Sequence, residues 1–253
     1  MNVYENIHSA YINTLREVYF NFDHESAPRG QRIREKLDYQ FKILNPKSES
    51  IVTLDHERNK IIEDYTRKEM ELYSSRSNKA EDFARASKFW EKIANPDGTI
   101  NSAYGFLIWQ NKSYGNPKYE LYTADRSSFK GYRTPWEWAV DSLKADKDTR
   151  QAILRFSLPE HQYWGNKDQT CTLSGNFLIR ENKLNLSIVM RSNDVWLGLT
   201  YDLPWFVSLM DLMLDELKAT YPDLTKGAYT HTVHSLHVYE RDFEKIRKAI
   251  GAR

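Results

Sequence analysis

Cysteine is almost missing from this chain: 253 residues carry one thiol, Cys171. One thiol makes neither an intrachain disulfide nor a cysteine-based zinc site, which excludes a secreted disulfide scaffold. Glycine is scarce, at 10 residues. No apolar run approaches the roughly 18 residues that a membrane span needs. An excess of one charge is missing too, since 36 Lys and Arg face 35 Asp and Glu, for a net charge of +1. A coat for polymeric nucleic acid or a polybasic membrane binder is more lopsided, so neither is expected. The opening Met1–Leu15 has no basic stretch followed by an apolar core, so no secretory leader is read there and a soluble cytoplasmic protein is expected. What the chain does have is aromatic mass: 16 Tyr, 7 Trp and 11 Phe, far too much for disorder. A globule of this length buries about three quarters of its unfolded surface and needs no covalent staple.

No internal repeat or low-complexity tract interrupts the chain. Ile7, Ala10, Tyr11, Leu15 and Val18 fall at helical spacing, which predicts an amphipathic helix over 5–19. Residues 20–50 are mixed and charged, with Pro28, Arg29 and Gly30 marking a turn. A long charged helix is predicted over 57–75 around Ile61, Ile62, Tyr65 and Met70, and a turn at Asn95-Pro96-Asp97-Gly98. Residues 113–135 hold the breakers Gly115, Asn116, Pro117, Gly131 and Pro135 and read as a loop or insertion. Ile153, Leu154 and Phe156 suggest a buried strand. Residues 172–180 and 183–191 read as a hairpin through Glu181-Asn182, with Leu184, Leu186, Ile188 and Met190 at a period of two. Pro204 is expected to open a helix through about 219. A strand over 228–239 and a closing helix, Asp242 to Ile250, complete the pattern. Strands mixed with helices and no linker predict a single α/β (α+β) domain over 1–253, a mixed sheet with surrounding helices.

Cys171 is the one candidate thiol nucleophile; a lone cysteine is more often a small buried hydrophobe, and a reactive one needs positive neighbours. His231, His234 and His237 invite a metal, but on a strand 231 and 237 face one way and 234 the other, so no metal is expected. His237 and Tyr239 share a face and suit a sugar hydroxyl, or a half-buried polar strand equally well. The run Arg191-Ser192-Asn193-Asp194 can hold an anion at a strand end, though such runs are usually solvated turns. Asp202, just ahead of Pro204, also reads as a helix cap, and Glu69 as a solvated helix residue.

Taken together, these segments resemble the thymidylate synthase family. Arg191-Ser192-Asn193-Asp194-Val195-Trp196-Leu197-Gly198-Leu199-Thr200-Tyr201-Asp202 is similar to the family signature, and Cys171 precedes it by 20 residues. Ser235-Leu236-His237-Val238-Tyr239 resembles the family's late His-x-Tyr. Asn101-Ser102-Ala103-Tyr104-Gly105 resembles its Tyr-Gly motif, with Trp90 upstream. Glu69-Met70-Glu71-Leu72 resembles the segment of the catalytic glutamate, and Asp146-Lys147-Asp148-Thr149-Arg150 the approach to an arginine that crosses a dimer interface. The likeness runs from about residue 60 to 240; the N-terminal third matches poorly.

The resemblance implies a thymidylate synthase-like fold, a homodimer through the sheet, a pyrimidine nucleoside monophosphate as substrate and 5,10-methylenetetrahydrofolate as co-substrate. It implies that Cys171 adds to C6 of the base and that Glu69 and Tyr104 manage protons. Arg191, Ser192 and Asn193 bind the nucleotide, Arg191 and Ser192 at its phosphate, helped by Arg150 from the partner subunit and by Arg29. His237 and Tyr239 bind the 3′-hydroxyl, and Trp90, Asp194, Leu197 and Gly198 contact the folate. Paired arginines are usual at the crossing site; here Arg150 is followed by Gln151, with Arg155 as a possible substitute.

Three departures point within the family toward hydroxymethylation of deoxycytidylate, as in phages, with the host cytoplasm as its place. Thr172 follows the cysteine where methylating members have His. Met190 precedes Arg191 where they have Gln. Asp202 stands where they have the Asn that reads uracil. An Asn amide matches uracil's O4 acceptor and N3–H donor, whereas a carboxyl accepts from cytosine's N4 amino group and can share a proton with N3. Only 14 residues follow Tyr239, and an end without the family's closing tail favours water over hydride. Methylation or hydroxymethylation of dUMP or CMP is the alternative; a catalytically silent binding dimer is a third reading.

Overall fold

The first helix forms where the spacing predicts it. α1 (Ile7–Phe20) buries Ile7, Ala10, Tyr11, Leu15 and Val18, and Asn6 caps it by accepting from the Ser9 amide at 2.9 Å. The computed structural model describes residues 1–111, 121–122, 128–129 and 134–252. They fall into two compact units. The first comprises residues 1–67, 187–209 and 227–253; the second comprises 68–186 and 210–226. α2 (His56–Ser75), β8 (Lys183–Met190), α7 (Thr200–Leu217) and β10 (Thr225–Tyr239) each contribute residues to both.

In the first unit, β3 (Ile33–Ile43) is the organising strand. β1 (Asn2–Tyr4) runs parallel to it, with Asn2 opposite Phe41. β2 (His24–Ser26) and β10 run antiparallel, with His24 opposite Glu35 and His231 opposite Phe41. β9 (Asn193–Asp194) lies parallel to β10 and sets Asp194 opposite His237. The sheet is therefore mixed, and α1 lies against β3. α8 (Phe243–Ile250) closes on α1 through the Tyr19–Phe243 ring contact and a bond from Arg16 Nη2 to the Ile250 carbonyl. The core gathers Tyr11, Leu15, Phe41, Ile43, Tyr229 and Val233.

In the second unit, α3 (Ala80–Ala84), α4 (Phe89–Ile93) and α5 (Tyr104–Trp109) follow α2, and a short pair, β4 (Leu121–Tyr122) and β5 (Ser128–Phe129), precedes α6 (Pro135–Ala145). Thr134 caps α6 with Pro135 at its first position. β6 (Ile153–Arg155) pairs antiparallel with β7 (Thr172–Arg180), and Trp136 of α6 meets Phe177 edge-on at 6.1 Å. Glu181 and Asn182 both take left-handed φ, 51° and 58°, as a two-residue hairpin turn requires. The predicted turn at Asn95–Gly98 is present, with Gly98 at φ 79°. The expected loop over 113–135 lies outside the described residues except at β4, β5 and its last two positions.

One expectation is corrected. Pro204 does not open α7. The helix starts at Thr200 behind a π-helical turn (Val195–Leu199), and Asp194 caps that turn by accepting from the Trp196 and Leu197 amides at 2.9 and 3.3 Å. With the chain already helical four residues earlier, Pro204 falls inside the helix. The charged stretch 20–50 holds the predicted turn at Pro28–Gly30 and, beyond it, the 11-residue strand β3, which no periodicity announced.

Candidate active site

In the second unit, Cys171 lies at the entry to β7 and is partly exposed. The chain around it is pinned at alternate residues. Asp168 accepts from the Ser102 hydroxyl at 2.6 Å and from the Ser102 amide at 2.8 Å. Thr170 meets Nδ1 of His161 at 3.0 Å. The Leu158 amide also points at that nitrogen, at 3.4 Å, so Nδ1 is the acceptor and the Thr170 hydroxyl donates. Burial pushes the His161 pKa down, which keeps the ring neutral for this task. Thr172 donates to the Tyr104 hydroxyl at 2.8 Å.

Tyr104 stacks on Tyr73 of α2 with ring centroids 5.4 Å apart. The neighbouring Gly105 permits this approach: a Cβ there falls 1.8 Å from the Tyr73 carbonyl oxygen. Glu69 precedes Tyr73 by one helical turn, so both share a face of α2, and Glu69 is half-buried there. Trp90 is half-buried and sits edge-on to Phe83 at 5.0 Å. Arg150 and Arg155 are exposed.

In the first unit, Arg191 and Ser192 are half-buried at the end of β8, and the Arg191 carbonyl accepts from the Ser235 amide at 3.2 Å. Asn193 is 3% exposed, so the run is not a solvated turn. Its Nδ2 donates to Asp202 Oδ2 at 2.5 Å. Gly198 flanks the pair; a Cβ there falls 3.1 Å from Asn193 Nδ2 and 3.4 Å from Asp202 Oδ2. Burial raises the Asp202 pKa to about 7, Asn193 pulls it down, and the charge on Asp194 pushes it up. Burial likewise raises Asp194 to about 7 against the two amides that it caps. Asp202 is thus no helix cap.

His237 is buried, and its Nδ1–H donates to the Ser235 carbonyl at 3.2 Å, which leaves Nε2 as the acceptor. Burial pushes its pKa down. Its ring meets Tyr239 edge-on at 5.2 Å, as the shared strand face predicts. His231 is buried and His234 exposed, as the alternation predicts. Among the described residues, no three His, Cys, Asp or Glu form a group able to hold a metal. Leu197 is exposed, and Arg29 is exposed with a left-handed φ of 53°.

The first unit therefore assembles Asn193, Asp194, Gly198, Asp202, His237 and Tyr239 around one strand end, and the second gathers Tyr104 to the strand that follows Cys171. Sequence reading missed the residues that hold these groups. Ser102 stood inside the Tyr-Gly motif without a role; His161 and Asp168 carried no spacing signal. Arg58 was hidden on a charged helix, yet it is buried, donates to the Trp196 carbonyl at 2.9 Å and lies over the Trp196 ring at 4.5 Å.

The sequence profile described as thymidylate synthase matches residues 9–252, and the chain belongs to that family. A deoxycytidylate 5-hydroxymethyltransferase of Enterobacteria phage T4 is 32% identical over 190 residues, 72% of this chain and 69% of that protein. A deoxyuridylate hydroxymethyltransferase of Bacillus phage SP01 is 35% identical over 119 residues, 44% of this chain and 30% of that one. The solved structure of thermostable thymidylate synthase A from Bacillus subtilis superposes with a TM-score of 0.69 at 17% identity, covering 97% of this chain and 84% of that one. The fold is that of the family, and one-carbon transfer to a pyrimidine nucleotide, with methylenetetrahydrofolate as co-substrate, is the chemistry of the class.

Proposed function

We propose that this protein transfers a one-carbon unit to C5 of dCMP and adds water, giving 5-hydroxymethyl-dCMP. The observation that carries this reading is the Asp202 carboxyl. Held by Asn193 and shifted to about 7, it is shared between its protonated and ionised forms near neutral pH. A carboxyl in that state accepts from the N4 amino group and donates a proton toward N3, the edge that cytosine presents and uracil reverses. The likeness to deoxycytidylate 5-hydroxymethyltransferases supports the same base.

In this reading the Cys171 sulfur bonds to C6 and its electron pair is delivered to C5, which takes the one-carbon unit. Glu69 and Tyr104 serve removal of the C5 proton, and the electron pair it leaves forms the exocyclic methylene as the carbon–nitrogen bond to the folate breaks and tetrahydrofolate departs. Water then adds to the exocyclic methylene on the base, the C5–C6 double bond reforms and the sulfur leaves. Arg191 and Ser192 hold the phosphate, with Arg29 and Arg150 of a homodimer partner; His237 and Tyr239 hold the 3′-hydroxyl; Trp90, Asp194, Leu197 and Gly198 face the folate. The single domain, the dimer and a cytoplasmic location belong to this proposal.

Tritium release from 5-labelled dCMP, CMP and dUMP, with mass analysis of the product, tests it. Release from dCMP with a gain of a hydroxymethyl group is expected. A 5-methyl product formed together with dihydrofolate, or faster release from dUMP, overturns it.

A further inference from the structure

We propose that Asn193, expected from the resemblance to bind the nucleotide, is instead a positioning residue for base selection: it does not touch the nucleotide but fixes the rotation of the Asp202 carboxyl. The inference rests on the reading of Asp202 as the group that faces the base. Burial separates the two roles. Asn193 is 3% exposed, whereas Asp202 is half-buried, and among the described residues only its Oδ2 is engaged, by Asn193. The bond leaves Oδ1 of Asp202 for a ligand.

Asn193 Oδ1 is buried with no hydrogen-bond partner among the described residues. A buried acceptor left unpaired is destabilising, a cost that an apolar side chain of the same size avoids. An asparagine kept only for packing makes little sense there; one kept for its Nδ2 donation does. A half-turn of the same amide would also let Oδ1 accept from Asp202 when the carboxyl is protonated, so Asn193 can hold it in either state. Gly198 fits the same role, since a side chain there crowds Asn193 Nδ2 at 3.1 Å and touches Asp202 Oδ2 at 3.4 Å.

The test measures kcat/KM for dCMP and dUMP in the wild type, Asn193→Leu and Gly198→Ala, with thermal melting to check folding. Loss of a merely structural residue lowers both substrates together; loss of the positioning bond lowers the dCMP to dUMP ratio, with an expected fall of at least about tenfold, the worth of one hydrogen bond to a charged group. A folded Asn193→Leu that keeps the wild-type ratio overturns the inference while leaving Asp202 as base reader. If Asn193→Leu does not fold, Gly198→Ala decides: it retains every polar group and crowds the pair, and an unchanged ratio overturns the inference. Any effect of Gly198 on folate binding is common to both nucleotides and cancels in the ratio. A wild type that prefers dUMP overturns the reading of Asp202 itself, and the inference with it.

Discussion

Thr172 donates a 2.8 Å hydrogen bond to the hydroxyl of Tyr104, tying the residue after the lone cysteine to the first turn of α5. Both partners are buried. Thr172→Val keeps the shape of the side chain and removes the donor, so it is expected to cost about 1 kcal/mol in urea denaturation. A variant as stable as the parent refutes a contribution from this bond.

Gly105→Ala is expected to be far more damaging. The added methyl meets the Tyr73 carbonyl at 1.8 Å, and that atom belongs to the backbone of α2, which cannot rotate away. A loss of about 3 kcal/mol or more, or failure to accumulate folded protein, follows from overpacking of this severity. A loss under 1 kcal/mol, read by the same denaturation, means that α5 and α2 lie further apart than described.

Cys171→Ser is expected to abolish tritium release from dCMP, to below about one part in a thousand of the parent rate, while the melting temperature stays within a degree or two. A serine hydroxyl is a far weaker nucleophile than a thiolate at neutral pH. Residual release at a tenth of the parent rate removes Cys171 from the reaction.

Asp202 also predicts a pH dependence. Its pKa rises from 3.8 to about 7 on folding, so between those values the native state binds the extra proton. Stability from this group is therefore lost as pH rises from about 4 to 7. Asp202→Asn removes the buried charge and can still accept from Asn193. It is expected to match the parent in stability near pH 4 and to exceed it by about 1–3 kcal/mol at pH 8. Equal stabilities at both pH values contradict the raised pKa.

Asp202→Asn should also lower the dCMP to dUMP ratio of kcat/KM, by at least tenfold, because an amide matches the uracil edge as well as the cytosine edge. An unchanged ratio in that variant disconnects this carboxyl from base selection.

Much of this was legible before the structure. The helices α1, α2 and α8, the hairpin of β7 and β8, and the last strand all announce themselves by period, because each buries one face. β3 did not. Arg34, Glu35 and Lys36 sit in its first half, Leu37 is exposed, and Asp38 takes a left-handed φ of 49°, so alternation survives only from Tyr39 to Ile43. The start of α7 was misread because Pro204 is a louder signal than Asp194, whose capping role depends on the π-helical turn. Residues with chemistry of their own, such as Cys171, Asp202 and His237, were legible by type and spacing. Their supports were not: Ser102, His161 and Asp168 matter through contacts made across 66 residues of chain or through a neutral imidazole, and no local pattern encodes either.

The pinned entry to β7 has a practical corollary. Because Cys171 is the sole thiol, a fluorine or spin probe attached there reports from one address without any engineering of the chain. Thr170 and Thr172, each bound to a side chain from elsewhere in the same unit, leave such a probe little backbone motion of its own. Its signal would therefore report on what arrives beside the sulfur more than on wandering of the loop that carries it.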